Sequence, residues 1–313
     1  MKKKVFYWSP HINEQIATVK AVVNSAIGLD RYDKNYEPVI LNVFGEWNSL
    51  KNLMNEKNLN LKNLINLNIK LPINGFVKSR IFYTFLSFII LIPLYKFLKK
   101  EKPDYLIIHL ITVPVLVLCF LFNFKTKFIL RISGLPKYNI FRKFIWKNFG
   151  KKINKITCPT IATINDLKFI RIFDEKKIFL LRDPVINIKK VLDLKKNKIE
   201  HEDNDKDFLI IAIGRLTKQK NFKFLINSFN QILNIKQNTK LFIIGEGEER
   251  KYLQKLIEEK KLSKKIVLLG FQKNVYKYLQ KANLFILSSL WEDPGWILME
   301  AALSNTLILS SNC

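Results

Sequence analysis

One pattern narrows the folds open to this chain more than any other. Short runs rich in β-branched and aromatic residues alternate with stretches of helical length, and the alternation occurs twice. In the first half the runs are K-V-F-Y-W (4–8), P-V-I-L-N-V-F (38–44), D-Y-L-I-I-H (104–109), K-F-I-L-R-I (127–132) and K-I-F-L-L (177–181). Between them lie segments of helical length and period, such as 12–29, 77–100 and 160–173. Strands apolar on both faces and separated by helices predict a parallel sheet covered on both sides.

The stretch from Lys189 to about residue 206 is polar, charged and poor in aromatics, and reads as a linker between domains 1–188 and 207–313. The alternation then restarts. Strands are predicted at 207–213, 240–244, 265–269, 284–287 and 306–310, with helices at 220–234, 248–260, near 274–281 and at 294–303. The fold class that follows is α/β, with two Rossmann-like doubly wound domains facing a cleft. The chain halts at Cys313 on a strand edge with no closing helix, so the second domain reads as incomplete.

Composition bears on partners. There are 53 Lys and Arg against 26 Asp and Glu, a formal net charge of +27. A nucleic-acid surface, an anionic membrane or phosphorylated substrate, and plain codon bias all account for such an excess. The charge is spread along the chain together with abundant Asn and Ile, which favours bias as a large part. No nucleic-acid motif is present, so a nucleic-acid partner is not expected. Cysteines 119, 158 and 313 are too few and scattered for a disulfide framework or metal site, and fit a reducing cytoplasmic setting. The apolar core after the basic start is too short for a signal peptide.

Residues 81–98 (I-F-Y-T-F-L-S-F-I-I-L-I-P-L-Y-K-F-L) approach spanning length, but Thr84, Ser87, Pro93 and Lys96 interrupt them. They predict a helix with one face on a sheet and the other toward the membrane interface, hence a peripheral protein at the inner face of the membrane.

Three stretches carry possible chemistry. G-R-L-T-K-Q-K-N (214–221) follows a strand and precedes a helix. Gly214 and Arg215 then sit at the cleft mouth; the Arg215 fork and the Lys220 point charge can clamp a diphosphate without a metal. The alternative is a solvated basic turn. I-I-G-E-G-E-E-R (243–250) brings Gly245 and Gly247, which let backbone approach a ligand closely. L-L-G-F-Q (268–272) adds Gly270 and Phe271 at a strand end.

In W-E-D-P-G-W-I-L-M-E (291–300), Asp293 is a candidate N-cap and Pro294 a first helical residue. The helix start would be an anion site, with Gly295 leaving it open. Glu292 and Glu300 would lie roughly 9–12 Å apart along the axis. That separation is too wide to share a proton or a metal and suits two acceptors for hydroxyl donors. The bland alternative is a capped surface helix with two solvated acids.

Taken together, G-R-L-x-x-x-K-N, I-G-x-G-x-x, a G-F after a strand and E-x7-E resemble the family 4 (group 1) glycosyltransferases of the two-Rossmann-domain, GT-B type. The likeness is strong over 207–313 and weak before it. It implies retaining transfer from a nucleotide-diphosphate sugar to a cell-surface glycan or lipid-linked acceptor, without metal or other cofactor. By the same resemblance Arg215 and Lys220 would hold the diphosphate and Glu300 the ribose. Glu292 and the Gly295 backbone would hold the donor sugar, with Gly270 and Phe271 near the base. His109 matches the second histidine of an H-x-H pattern at a strand end; a structural histidine is the alternative there. Two departures stand out: Ser133 replaces a histidine in R-I-S-G-L-P-K, and S-P-H-I-N-E-Q (9–15) lacks a glycine pair. Asn305, where a glycine is usual, can take left-handed angles. The competing reading is a non-catalytic membrane-surface or scaffolding protein that keeps the fold.

Overall fold

The computed structural model describes residues 2–11, 17–65, 76–134, 136, 138–197, 207–292 and 294–313. The chain divides into two compact units, Met1–Val185 and Ile186–Cys313.

The first unit runs β1 (Lys3–Trp8), α1 (Ala17–Tyr32), β2 (Tyr36–Asn42), α2 (Lys51–Glu56), β3 (Asn60–Asn63), α3 (Phe76–Glu101) and β4 (Tyr105–Ile108). It continues with α4 (Val113–Leu121), β5 (Lys127–Arg131), α5 (Ile140–Phe149), β6 (Lys155–Cys158), α6 (Ile161–Ile170) and β7 (Ile178–Leu180). Its seven strands order as β3-β2-β1-β4-β5-β6-β7, all parallel. Side chains of β1 alternate between two cores: Phe6 and Trp8 join one, Val5 and Tyr7 the other. A parallel strand buried on both faces needs this two-sided apolar character.

The helix α3 shows how one element is oriented. Leu86, Ile90, Leu94 and Leu98 recur every four residues and are buried, whereas Phe88 and Ile92 on another face are 70% and 67% exposed. The one-face-buried reading therefore holds over its second half. Among the described residues no helix is long and apolar enough to cross a membrane.

The second unit begins with α7 (Ile188–Leu194), followed by β8 (Phe208–Ile213), α8 (Phe222–Ile235), β9 (Thr239–Ile244), α9 (Arg250–Glu259) and β10 (Ile266–Gly270). It ends with α10 (Tyr276–Lys281), β11 (Leu284–Leu287), α11 (Trp296–Leu303) and β12 (Ile308–Ser310). The sheet order is β10-β9-β8-β11-β12, again all parallel. Part of the polar stretch read as a linker is thus helix α7. Val191 is buried, the helix packs on α10 and α11, and Asn274 Nδ2 donates to Leu194 O at 2.9 Å. A short helix among charged residues needs only one buried side chain to dock, which charge composition does not reveal. Residues 198–206 lie outside the described residues.

The helix expected from Pro294 begins later, at Trp296, with Gly295 at the N-cap position and no side-chain cap. Pro294 O accepts from Trp296 N at 2.8 Å, so the Pro-Gly pair forms a turn ahead of the helix instead of its first residues. The proposed N-cap Asp293 lies outside the described residues.

Candidate functional site

In a doubly wound sheet, ligands lodge where the strand order reverses, outside the strands' C-terminal ends. In the second unit that point lies between β8 and β11. Two of the stretches singled out from sequence leave those strands.

The two loops are stitched together. Ser288 Oγ donates to Lys220 O at 2.8 Å, Leu290 N to Gln219 O at 2.8 Å, and Gln219 Nε2 to Trp291 O at 2.9 Å. At the seam the Lys220 ammonium forms a short ion pair with Glu292 Oε1, both side chains being only 13% exposed. Ser289 Oγ donates to the same oxygen at 2.6 Å. Lys220 is therefore not a free point charge, and Glu292 is not an unoccupied acceptor; they form one polar unit. The Lys220 stem runs over Gly214, where an added Cβ would stand 2.9 Å from Cε. Arg215 is exposed, and its side chain makes no hydrogen bond or ion pair among the described residues.

Gly245 and Gly247 are placed as the strand-to-helix turn requires, but the close approach they permit is to the chain itself. Gly245 has φ +145°, and a Cβ there would meet Gly214 O at 1.9 Å; at Gly247 it would meet Leu216 O at 2.3 Å. Gly214 N donates to Ile244 O and Leu216 N to Glu246 O, locking the loop after β8 against the loop after β9. Gly270, at φ +72°, accepts at its carbonyl oxygen from Gly245 N at 2.8 Å. Phe271 beside it is half exposed. These glycines fix the floor on which Arg215 and Lys220 stand.

Glu300 sits inside α11 and accepts from Tyr276 Oη at 3.1 Å. Burial first, and then the Glu300 charge and that hydrogen bond, push the Tyr276 hydroxyl well above its ordinary pKa. Glu292 and Glu300 thus have separate hydrogen-bond partners. Gly295 would tolerate a Cβ at ordinary contact from Glu292 (3.7 Å) and at a tight 3.3 Å from Leu298. Asn305 takes the left-handed conformation, φ 59°.

His109 belongs to the first unit, at the end of β4. Its N–H donates to Trp8 O at 2.8 Å, and its ring lies 6.2 Å from that of Tyr7. Burial, helped by the nearby Arg131 charge, pushes its pKa down to about 3, so the imidazole is neutral at pH 7. Sequence reading missed Gln219, Ser288, Ser289 and Tyr276. The Ser-Ser pair directly after the apolar run of β11 was the available signal, since a strand end at the reversal point is where hydroxyls reach a ligand or its ligating groups.

Residues 193–313 match the family model of the glycosyl transferases group 1. Over these residues the chain belongs to that family. An uncharacterized glycosyltransferase of Methanocaldococcus jannaschii is 34% identical over 237 residues, which are 70% of this chain and 58% of the relative. The Escherichia coli UDP-Gal:alpha-D-GlcNAc-diphosphoundecaprenol alpha-1,3-galactosyltransferase is 26% identical over 254 residues, 71% of this chain and 61% of its own. The chain therefore spans about three-fifths of the length of these relatives. Among solved structures, a glycosyltransferase from Rickettsia africae superposes with TM-score 0.75 at 15% identity, covering 99% of this chain and 79% of the other. At that identity the likeness establishes the fold, which is GT-B.

Proposed function

We propose that the protein transfers a sugar, with retention and without a metal, from a nucleotide-diphosphate sugar to a cell-surface glycan or lipid-linked acceptor. The observation that carries this reading is the seam between the loops after β8 and β11. It sets Lys220 at the reversal point of the second sheet with Arg215 on the same loop. Breaking a glycosyl–phosphate bond leaves new negative charge on the diphosphate. A guanidinium and an ammonium carried by that loop stabilise that charge.

The Glu292 carboxylate has one oxygen engaged by Lys220 and Ser289. On donor binding the ammonium would turn to phosphate and release that oxygen to sugar hydroxyls. Glu300 would accept from ribose hydroxyls. The uncapped amino end of α11, whose first turn has no side-chain partner, adds partial positive charge on the same side of the sheet. The acceptor class is supported by the Escherichia coli relative, whose name specifies a diphosphoundecaprenol-linked acceptor.

Peripheral binding to the inner face of the membrane is supported by an exposed aromatic and basic face on the first unit. Phe120 stacks on Phe149 at 4.6 Å and Phe144 meets it edge-on at 6.3 Å, while Phe141, on the same helix α5 as Phe144, is also exposed. Lys152 Nζ donates to Phe120 O at 3.3 Å. Aromatic rings with adjacent ammonium groups suit the interface of an anionic bilayer.

The test is turnover of a panel of uridine and guanosine diphosphate sugars by full-length Arg215→Ala and Lys220→Ala proteins. Each is expected to lose about 10²–10³-fold in kcat, with far-UV circular dichroism showing that both variants remain folded. If neither lowers turnover, the diphosphate role is wrong. If no nucleotide diphosphate binds the wild type at millimolar concentration in calorimetry, the non-catalytic reading replaces it.

A further inference from the structure

The first unit contains a cavity of 470 Å³ at the C-terminal ends of β4 and β5. His109, Thr112, Arg131, Ser133 and Arg142 supply its polar side chains. Arg131 is 3% exposed; its Nη2 pairs with Asp183 Oδ1, while its Nη1 is buried with no partner among the described residues. His109 is 7% exposed, and neither ring nitrogen has a partner there. A buried polar group left unpaired costs about 1–3 kcal/mol, more when charged, so three such atoms on one wall mark an arrangement built for something that bonds them.

The backbone points the same way. The amino end of α4 opens on this cavity with no side-chain cap, and Pro114 has no N–H to offer. Ile111, just before it, is held at φ 46°, a conformation that β-branched residues avoid. Its turn is pinned by the fully buried Trp8, whose Nε1 donates to Leu110 O at 2.9 Å and Ile111 O at 3.1 Å. The amino end of α5 borders the same space, with Arg142 lying 5.7 Å over the Trp146 ring. The cavity lining holds the buried Arg131 guanidinium and the amino end of α4, which has no side-chain cap, and among the described residues that line it there is no carboxylate, so the cavity favours an anion. Its donors approach from the strand β5, the strand β4 and the helix α4, which suits a tetrahedral oxyanion better than a planar carboxylate. Phe141 and Ile145 extend one wall as apolar surface.

We propose that this cavity binds a phosphoryl group carried by the acceptor. The word acceptor rests on the transferase reading; binding of the phosphoryl group does not. Arg131 Nη1 and the α4 amides take its charged oxygens, and neutral His109 donates to or accepts from a neighbouring oxygen.

The test titrates inorganic phosphate into the full chain, with saturating UDP occupying the second unit, followed by ³¹P line broadening. The Arg131→Met/Asp183→Leu double variant removes the guanidinium without stranding a buried charge. It is expected to weaken phosphate binding at least tenfold, whereas Lys220→Ala changes it less than twofold. Equal binding in the double variant, or a larger loss in Lys220→Ala, overturns the proposal. Should the double variant not fold, ring ¹⁵N–¹H resonances of the wild type, with His109→Gln for assignment, decide it. The His109 signal shifts on adding phosphate if the proposal is right and stays fixed if it is wrong.

Competition by farnesyl phosphate or by glucose 1-phosphate separates a lipid source from a sugar source, either of which supports the phosphoryl assignment. Methyl glucuronide binding as tightly as phosphate overturns it in favour of a carboxylate. Failure of UDP to bind would sink the donor reading and leave the Arg131 comparison intact.

Discussion

At Gly245 the chain tolerates no side chain. Its φ of +145° is outside the range of L-residues, and a Cβ would stand 1.9 Å from the carbonyl oxygen of Gly214. Gly245→Ala is therefore expected to cost about 3–5 kcal/mol, read as a lowered urea midpoint by far-UV circular dichroism. Gly28 is the opposite case, a helical glycine with nothing within 4 Å of an added Cβ. Gly28→Ala is expected to gain about 0.5–1 kcal/mol.

Glu46 gives a pH signature. It is buried, and that burial pushes its pKa up to about 7 despite N–H groups of Phe44 and Val43 that stabilise its charged form. Between about pH 4.5 and 7 the folded chain holds a proton that the unfolded chain has released, so stability falls as pH rises through that window. The loss approaches about 3 kcal/mol and is complete above pH 7. Glu46→Gln removes this slope. Wild type minus variant, measured as urea midpoints, should be more favourable at pH 5 than at pH 8; an equal difference at both would refute it. Residues such as Gly245 and Lys220 were visible in the sequence, but not what they touch. Spacing says that a glycine stands at a strand end; only the folded backbone says that Gly214 is its neighbour.

Elements announce themselves when their periodicity is unmixed. Helical length and period over 77–100 made α3 legible, and Leu86, Ile90, Leu94 and Leu98 are its buried face. Ile90→Ala is expected to cost about 2–5 kcal/mol, whereas Ile92→Ala, on the exposed face, should stay within about 0.5 kcal/mol of wild type. Thermal unfolding of the two variants compares them directly. Other elements were silent for physical reasons. The helix α4 is V-P-V-L-V-L-C-F-L, apolar on every side because it is mostly buried, and such a run has no period to separate helix from strand. The edge strand β3, N-L-K-N, has no fully buried residue and therefore no apolar alternation. The doubly wound architecture survived these gaps because each unit needs only its central strands to declare themselves.

At the scale of the whole molecule the +27 charge leaves two explanations standing, and they predict different binding curves. Charge spread evenly by composition attracts any anionic surface, and salt screens it; at 0.15 M the Debye length is about 8 Å. A docking face adds apolar contacts that salt does not weaken. Phe120, Phe141 and Phe144 are 49%, 64% and 57% exposed on adjoining helices of the first unit, and replacing them leaves the net charge unchanged. Cosedimentation with phosphatidylserine-containing vesicles should therefore fall with salt for wild type but level off above zero. The Phe120→Ser/Phe141→Ser/Phe144→Ser variant should bind at least tenfold more weakly at 0.15 M salt and lose all binding at 0.5 M. If wild type and variant follow the same salt curve, the aromatic face contributes nothing, and the affinity for membranes is composition alone.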